Sequence, residues 1–454
     1  MRSLMLSLAV VEFALAACAF AVSAWVLERF GVDIGSASDR PLLFWAPVFS
    51  TAVVFGITAT GLYQTRQRLR IEGVLVRLVV ALFGAAVALA VVDFVFPVGI
   101  EGVLWPVGFA TALVLLSVAR VLFWRIVEQD AFRRRVLVYG AGKRASRLLE
   151  LRRRSDQRGF RIVAFMPAPG DTELIKDGRV VEPKFPLLDY VKQEQIDEII
   201  VAMDDRRTGF PLRDLLDCRF QGVRVLDLLT FLERETGKVK VDLVTPSWLI
   251  FADGFAGDPR RQFVSRCVDI VVSGVLAVVA LPIMALVAMA VAIEDGMPVL
   301  YRQRRVGLMG KEFTLYKFRS MYTNAESDGK ARWASAQDSR VTRVGAVIRK
   351  LRLDELPQVF NVLRGEMSLV GPRPERPEFV ARLAQVIPYY HERHCVKPGI
   401  TGWAQLCYPY GSSDEDSMEK LQFDLYYVKH RSLTFDLMVL IQTAEVVLWG
   451  KGAR

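Results

Sequence analysis

The chain has 454 residues, 52% of them hydrophobic, and a formal net charge of +10. That length admits several domains. So apolar and basic a composition excludes an ordinary soluble enzyme and describes a membrane protein with its excess cations on the cytoplasmic side. The five cysteines are scattered without a C-x-x-C pair, which excludes a disulfide framework or a zinc site. Of the three histidines, His391 and His394 lack further spaced partners and read as structural.

Four apolar runs, about 4–27, 42–62, 74–96 and 104–127, fill residues 1–130. Each is near the ~20 residues that a spanning helix needs. The first is too long for a removed signal peptide and has no convincing cleavage site. Arg66, Arg68 and Arg70 lie in the second loop and Arg133, Arg134 and Arg135 follow the fourth run, whereas loop 97–103 has no Lys or Arg. The bias places both ends of this four-span helical bundle in the cytoplasm. Glu12 and Asp93, within or near the apolar runs, read as helix contacts or interfacial groups rather than a pathway.

Residues 131–256 form the next expected domain. VLVYGAGKRASRLLEL reads strand, glycine turn, helix, and GAGKRA (140–145) has the G-x-G-x-x-A form of a dinucleotide fingerprint. RIVAF (161–165) and DEIIVAM (197–203) look like further buried parallel strands, so a Rossmann-like α/β domain is expected. The acidic residue that should close the second strand is missing, for Met-Pro-Ala-Pro-Gly-Asp follows Phe165. No dinucleotide is therefore expected. A tethered nucleotide-sugar dehydratase or epimerase would need a Tyr-x-x-x-Lys pair, and the one match, Tyr139 with Lys143, is consumed by the glycine turn.

The third expected domain is 257–454, with a further apolar run over about 268–293. Arg260, Arg261 and Arg266 precede that run and Arg302, Arg304 and Arg305 follow it, so both of its ends read as cytoplasmic. Pro282 near its middle removes a backbone hydrogen bond and bends a helix there. A re-entrant helix that enters and leaves by one face reconciles these facts. At the end, 433–449 is apolar with Asp436, Gln442 and Glu445 interspersed, which suits an in-plane interfacial helix.

Between these lies RKLRLDELPQVFNVLRGEMSLVGPRP (349–374). Val344, Val347, Ile348 and Leu351 recur at helical spacing, and so do Leu356, Val359, Phe360 and Leu363. Asp354 and Glu355 sit between the two helices, at the N-terminus of the second, where the helix dipole keeps carboxylates ionised. Arg343, Arg349, Lys350 and Arg352 precede the pair, and Arg364 and Arg373 follow it. The plainest role for Asp354 is a helix cap. Paired acids ringed by arginines also suit phosphoryl chemistry on an anionic substrate, because the planar guanidinium pairs bidentately with phosphate.

In chain order, YRQRRVG (301–307), YKFRSM (316–321), LDELPQ (353–358), GPRP (371–374), KPGITGWAQ (397–405) and DLYYVKH (424–430) closely resemble the bacterial sugar transferase family, the monotopic phosphoglycosyl transferases. The resemblance covers roughly 263–454. The stretch 227–255 is similar to the exosortase-associated subgroup of the large, exopolysaccharide-associated branch. The resemblance implies a mainly α-helical catalytic domain with a re-entrant helix broken at a proline that a serine often precedes; here Leu281 precedes Pro282. It implies transfer of a sugar 1-phosphate from a UDP-sugar to undecaprenyl phosphate, releasing UMP and starting exopolysaccharide synthesis. Asp354 is then the nucleophile and Glu355 the Mg²⁺ ligand. Lys317, Arg319, Arg349 and Arg373 are the substrate-binding cations. The expected setting is the bacterial inner membrane, with the catalytic domain cytoplasmic. Expected partners are membrane lipid and a second copy of the chain, with no nucleic acid. A membrane scaffold of polysaccharide assembly that has lost catalysis is the non-enzymatic alternative.

Overall fold

The computed structural model describes residues 2–32, 42–63, 71–95, 102–127, 133–151, 159–171, 175, 179–182, 186–207, 209–255, 258–323, 340–408, 411 and 413–449. Arg66, Arg68, Arg70 and most of loop 97–103, which carried the orientation argument, lie outside the described residues. The chain divides into two compact units, Met1–Gly237 and Lys238–Arg454.

The first unit opens with four helices, α1 (Arg2–Arg29), α2 (Leu42–Ala59), α3 (Ile71–Val95) and α4 (Leu104–Val127). α1, α3 and α4 are long and apolar enough to cross a membrane; α2, with Pro47 inside its 18 residues, is shorter. Their shared core sets a group of aromatic rings among Ala, Leu, Val and Ile side chains. Phe20 and Phe49 meet at a tilt at 5.0 Å, Phe49 meets Phe109 at 4.7 Å, and Trp105 lies edge-on to Trp45 at 5.7 Å. Glu12 is fully buried on α1. It pairs with Arg120 of α4 and accepts from the Tyr63 hydroxyl at 2.5 Å, so it is a helix contact.

The same unit carries β1 (Arg134–Tyr139), α5 (Lys143–Ser146), β2 (Phe160–Met166), α6 (Leu187–Gln193), β3 (Glu198–Val201), α7 (Leu212–Phe220), β4 (Arg224–Asp227) and α8 (Leu228–Thr236). The strands form a parallel sheet in the order β2-β1-β3-β4. That order is doubly wound, and its direction reverses between β1 and β3, where such folds bind ligands. The glycine turn does follow β1, but its amides are taken. Asp204 accepts from Lys143 N and Arg144 N at 2.9 and 2.7 Å, and Asp171 accepts from Ala141 N at 2.8 Å.

The second unit begins with α9 (Pro246–Phe251) and the 37-residue α10 (Pro259–Asp295), which is helical through Pro282 and long and apolar enough to cross a membrane. One face of α10 is covered along its length, from Ser265, Asp269 and Ser273 to Met284, Val287 and Val291. The opposite face, including Val271, Val278 and Leu286, is exposed. Then come an antiparallel hairpin, β5 (Leu300–Val306) with β6 (Glu312–Phe318), and the helices α11 (Arg343–Lys350) and α12 (Gln358–Arg364). β7 (Ser368–Val370) pairs in parallel with β8 (Gly399–Thr401); α13 (Pro377–Val386) lies between them in sequence, and α14 (Trp403–Cys407), α15 (Asp414–His430) and α16 (Leu433–Trp449) close the chain. α16 packs Phe435, Met438 and Val439 into the unit.

Candidate active site

α11 and α12 are pinned at their outer ends by opposite ends of α10. Glu294 accepts from Arg343 N and Val344 N at 2.7 and 2.9 Å, at the start of α11. Arg266 donates to the carbonyls of Val362 and Leu363 at 2.5 and 2.7 Å, at the end of α12. Ile348 faces the core, where Phe318, Met284 and Val287 meet it, whereas Val347 and Leu351 are exposed. The two-turn α11 buries only the side that α10 covers, narrower than its apolar periodicity suggests.

Asp354 and Glu355 occupy a 3-10 turn, Leu353–Glu355, set between α11 and α12. This corrects the expected placement at an α-helix N-terminus, since α12 begins only at Gln358. Arg352 enters the turn in the left-handed region, φ 58°, which costs an L-residue roughly 1–2 kcal/mol. The turn carries the acids to the hairpin. There Lys317 Nζ of β6 donates to Glu355 Oε1 at 2.9 Å, and Arg373 Nη2 donates to the same oxygen at 3.0 Å.

The two neighbouring acids are driven in opposite directions. Burial works to raise Glu355, but the charges of Arg373 and Lys317 outweigh it and hold the carboxyl well below the usual range. Burial, and then the charge of Glu355, push Asp354 up, against Lys317, Arg349 and Arg352. Carboxylates whose surroundings separate their pKa values take different chemical roles.

Arg373 is half-buried and anchored through both its side chain and its backbone. Its Nη1 donates to Gln405 Oε1 at 3.2 Å, and Arg393 Nη2 donates to its carbonyl at 3.0 Å. Arg393 is buried and pairs with Asp424 of α15 at 2.7 Å. The preceding Gly371 lies so close to β8 that a Cβ there would meet the Lys397 carbonyl at 2.3 Å, so GPRP and KPGITG pack backbone to backbone. Arg305 extends the support by donating to the Pro374 carbonyl at 2.9 Å.

Of the expected site residues, Lys317, Glu355 and Arg373 meet directly, and Asp354 and Arg349 lie within electrostatic reach of one another. Arg319 is elsewhere: its Nη2 donates to the carbonyls of Asp295 and Gly296 at 2.7 Å each, fastening the end of α10. Gln405, Arg393 and Asp424 carry no role in the sequence reading. Gln405 and Asp424 do lie inside quoted motifs, but Arg393 has no local signal. Among the described residues no group of three or more His, Cys, Asp or Glu could hold a metal ion. Mg²⁺ commonly needs only one or two carboxylates alongside waters and substrate phosphates, and the Asp354–Glu355 pair provides that number.

Residues 260–450 match the family model described as bacterial sugar transferase, and residues 58–208 match one described as a CoA-binding domain. Over 439 residues the chain is 30% identical to the UDP-glucose:undecaprenyl-phosphate glucose-1-phosphate transferase of Xanthomonas campestris pv. campestris, covering 90% of this chain and 89% of that protein. The enzyme of the same name from Escherichia coli (strain K12) is 34% identical over 68% of this chain and 67% of its own length. The UDP-N-acetylgalactosamine-undecaprenyl-phosphate N-acetylgalactosaminephosphotransferase of Aeromonas hydrophila is 41% identical over 251 residues. The chain spans little more than half of that protein, 58% of its length.

Proposed function

The chain belongs to the bacterial sugar transferase family, and on that premise we propose that it moves a sugar 1-phosphate from a UDP-sugar to undecaprenyl phosphate and so starts exopolysaccharide assembly. The observation that carries this reading is the divided acid pair: Glu355 is neutralised by Lys317 and Arg373, while its neighbour Asp354 is pushed up. Asp354 then attacks the β-phosphorus of the donor. The bond from that phosphorus to the bridging oxygen breaks, UMP departs with the electron pair, and an aspartyl phosphosugar remains. The acceptor phosphate attacks the same phosphorus and returns Asp354 as a carboxylate. Arg373, Arg349 and Lys317 would bind and orient the diphosphate. Arg319 is better assigned to holding α10 in place. Glu355 would hold Mg²⁺ together with the donor's phosphates, and the ion supplies charge screening between phosphate and incoming carboxylate.

The same reading makes α10 re-entrant and places the site at the cytoplasmic face of the inner membrane. A straight helix would set Arg266 and Glu294 about 42 Å apart. Yet they clamp the two ends of one short helix–turn–helix, which favours a bend at Pro282. No dinucleotide is assigned to the sheet domain, because Asp171 and Asp204 already engage the amides of its glycine turn. That occupancy also disfavours a dehydratase or epimerase. The functional divisions 1–130, 131–256 and 257–454 stand as part of this proposal, with residues 238–256 packing in the same compact unit as the catalytic residues.

The test incubates purified protein with Mg²⁺ and a panel of UDP-sugars while following UMP. Without acceptor, a burst of up to about one equivalent per site and a phosphosugar adduct on the Asp354 peptide are expected. Asp354→Asn should abolish both. UMP release that needs undecaprenyl phosphate, with no adduct trapped, would reassign Asp354 to metal binding or general-base work.

A further inference from the structure

α9 is anomalous for a helix of a folded unit, because none of its six residues is buried. Thr245 and Pro246 fix its start, with Trp248 N donating to Thr245 Oγ1 at 3.3 Å. It then presents Ile250 and Phe251 at 76% and 82% exposure. Among the described residues the next exposed large hydrophobic side chain along the chain is Phe263 at 72%, in the first turns of α10. Single exposed hydrophobes are ordinary, but grouped ones that continue into a long apolar face mark an interaction surface.

The element is nevertheless held firmly. Lys429 Nζ sits 4.4 Å over the Trp248 ring, and Phe255 lies edge-on to the same ring at 6.3 Å. Gly254, at φ 103°, touches the backbone of α15 so closely that a Cβ would lie 2.0 Å from the Lys429 carbonyl. Cations belong to the same segment: Lys429 covers Trp248 of α9, and between α9 and the body of α10 Arg260 is exposed and Arg261 donates to the Arg431 carbonyl at 2.6 Å. Two acids are also near in sequence, Asp253 and Asp258, the latter capping α10 through Arg260 N. Exposed aliphatic and aromatic side chains beside Lys and Arg are the composition of an element lying in the headgroup region of a bilayer.

We propose that α9, through Ile250 and Phe251 with Phe263, is an interfacial anchor inserted into an anionic lipid surface where α10 enters the membrane. The occupant is lipid rather than a protein partner because α9 stands directly before α10 in the chain, and Phe263 opens the exposed face of α10, which the membrane reading above already assigns to lipid; the inference rests on that reading. The anchor has a path to the chemistry. α9 is fastened to Lys429 of α15, the same helix supplies Asp424, Asp424 holds Arg393, and Arg393 holds the Arg373 backbone. Seating α9 thus sets the height of the diphosphate-binding arginine above the lipid.

Photo-crosslinking of the full chain in phosphatidylcholine–phosphatidylglycerol nanodiscs tests this. Phe251→p-benzoylphenylalanine should give phospholipid adducts on its own peptide by mass spectrometry, as should Ile283→p-benzoylphenylalanine on the exposed face of α10. Lipid capture at 283 but not at 251, or protein cross-links alone at 251, would overturn the anchor and leave the membrane reading standing. Failure at 283 would sink the membrane reading itself. The paired change Ile250→Ser with Phe251→Ser should keep the acceptor-free UMP burst and lower turnover with undecaprenyl phosphate in nanodiscs several-fold. Unchanged turnover there would also overturn the proposal.

Discussion

Asp354 and Glu355 are chemically almost the same side chain, one bond unit apart in the chain, and differ by what surrounds them. The difference gives opposite pH signatures. Asp354 is raised by burial and by Glu355 and lowered by Lys317, Arg349 and Arg352. Activity that needs its carboxylate is present above its pKa and lost as pH falls through it. Arg352→Gln removes a lowering charge, so the acid limb of kcat/KM should move to higher pH. Glu355→Gln removes a raising charge, so the limb of its residual activity should move to lower pH while Mg²⁺ dependence weakens. A pH–rate series on the two variants reads both directions at once; movement in the same sense would break the assignment.

At the scale of elements, the site depends on pieces brought from all six quoted motifs, and the supports are as specific as the acids. Arg393 and Asp424 form a buried pair, and removing one partner of such a pair costs about 3–5 kcal/mol. Asp424→Asn should therefore lower thermal stability by roughly that amount, as calorimetry of the full chain would show, and raise KM for the donor more than it lowers kcat. Gly254→Ala forces a methyl group against the Lys429 carbonyl, and overpacking of that kind costs about 1–3 kcal/mol in a melting experiment. The sequence pattern carried much of this arrangement. The acids, Lys317 and Arg373 were legible because one set of ordered motifs contains them, and the parallel sheet was legible from its apolar runs. The 3-10 turn was not, because Arg352, which enters it at φ 58°, is not a residue type that signals a left-handed turn. Arg319 misled because two residues on from Lys317 it would share a strand face, but β6 ends at Phe318 and its side chain reaches the end of α10 instead. Arg393 was invisible because its partner lies 31 residues away.

For the whole molecule, the division at Gly237 and Lys238 bears on how the transferase can be shortened. Residues 263–454 contain every quoted motif, but cutting there discards α9 and Val239, whose amide donates to the Gln422 carbonyl at 2.9 Å beside the Arg393-bound Asp424. The shorter piece should retain some UMP release in detergent. The unit Lys238–Arg454 should exceed it, and side-by-side progress curves at matched protein concentration compare the two. On the re-entrant reading proposed above, Pro282→Ala in the full chain should favour a straighter α10 and draw the Glu294 and Arg266 clamps apart; turnover should fall, and accessibility of a cysteine placed at Gly310 in intact cells would report any reversal of topology.

The carboxylates that fill the glycine turn of the first unit have a kinetic meaning as well as a steric one. Asp204 is tethered within the same domain as the amides of Lys143 and Arg144. A tethered group competes at an effective concentration on the order of millimolar or above, fixed by the chain rather than by the cytoplasm. A diffusing phosphate compound has to outcompete that internal anion at all times, and its supply rises and falls with metabolism while Asp204 does not. A phosphate compound that bound at this turn would therefore first have to displace Asp204 from the amides of Lys143 and Arg144.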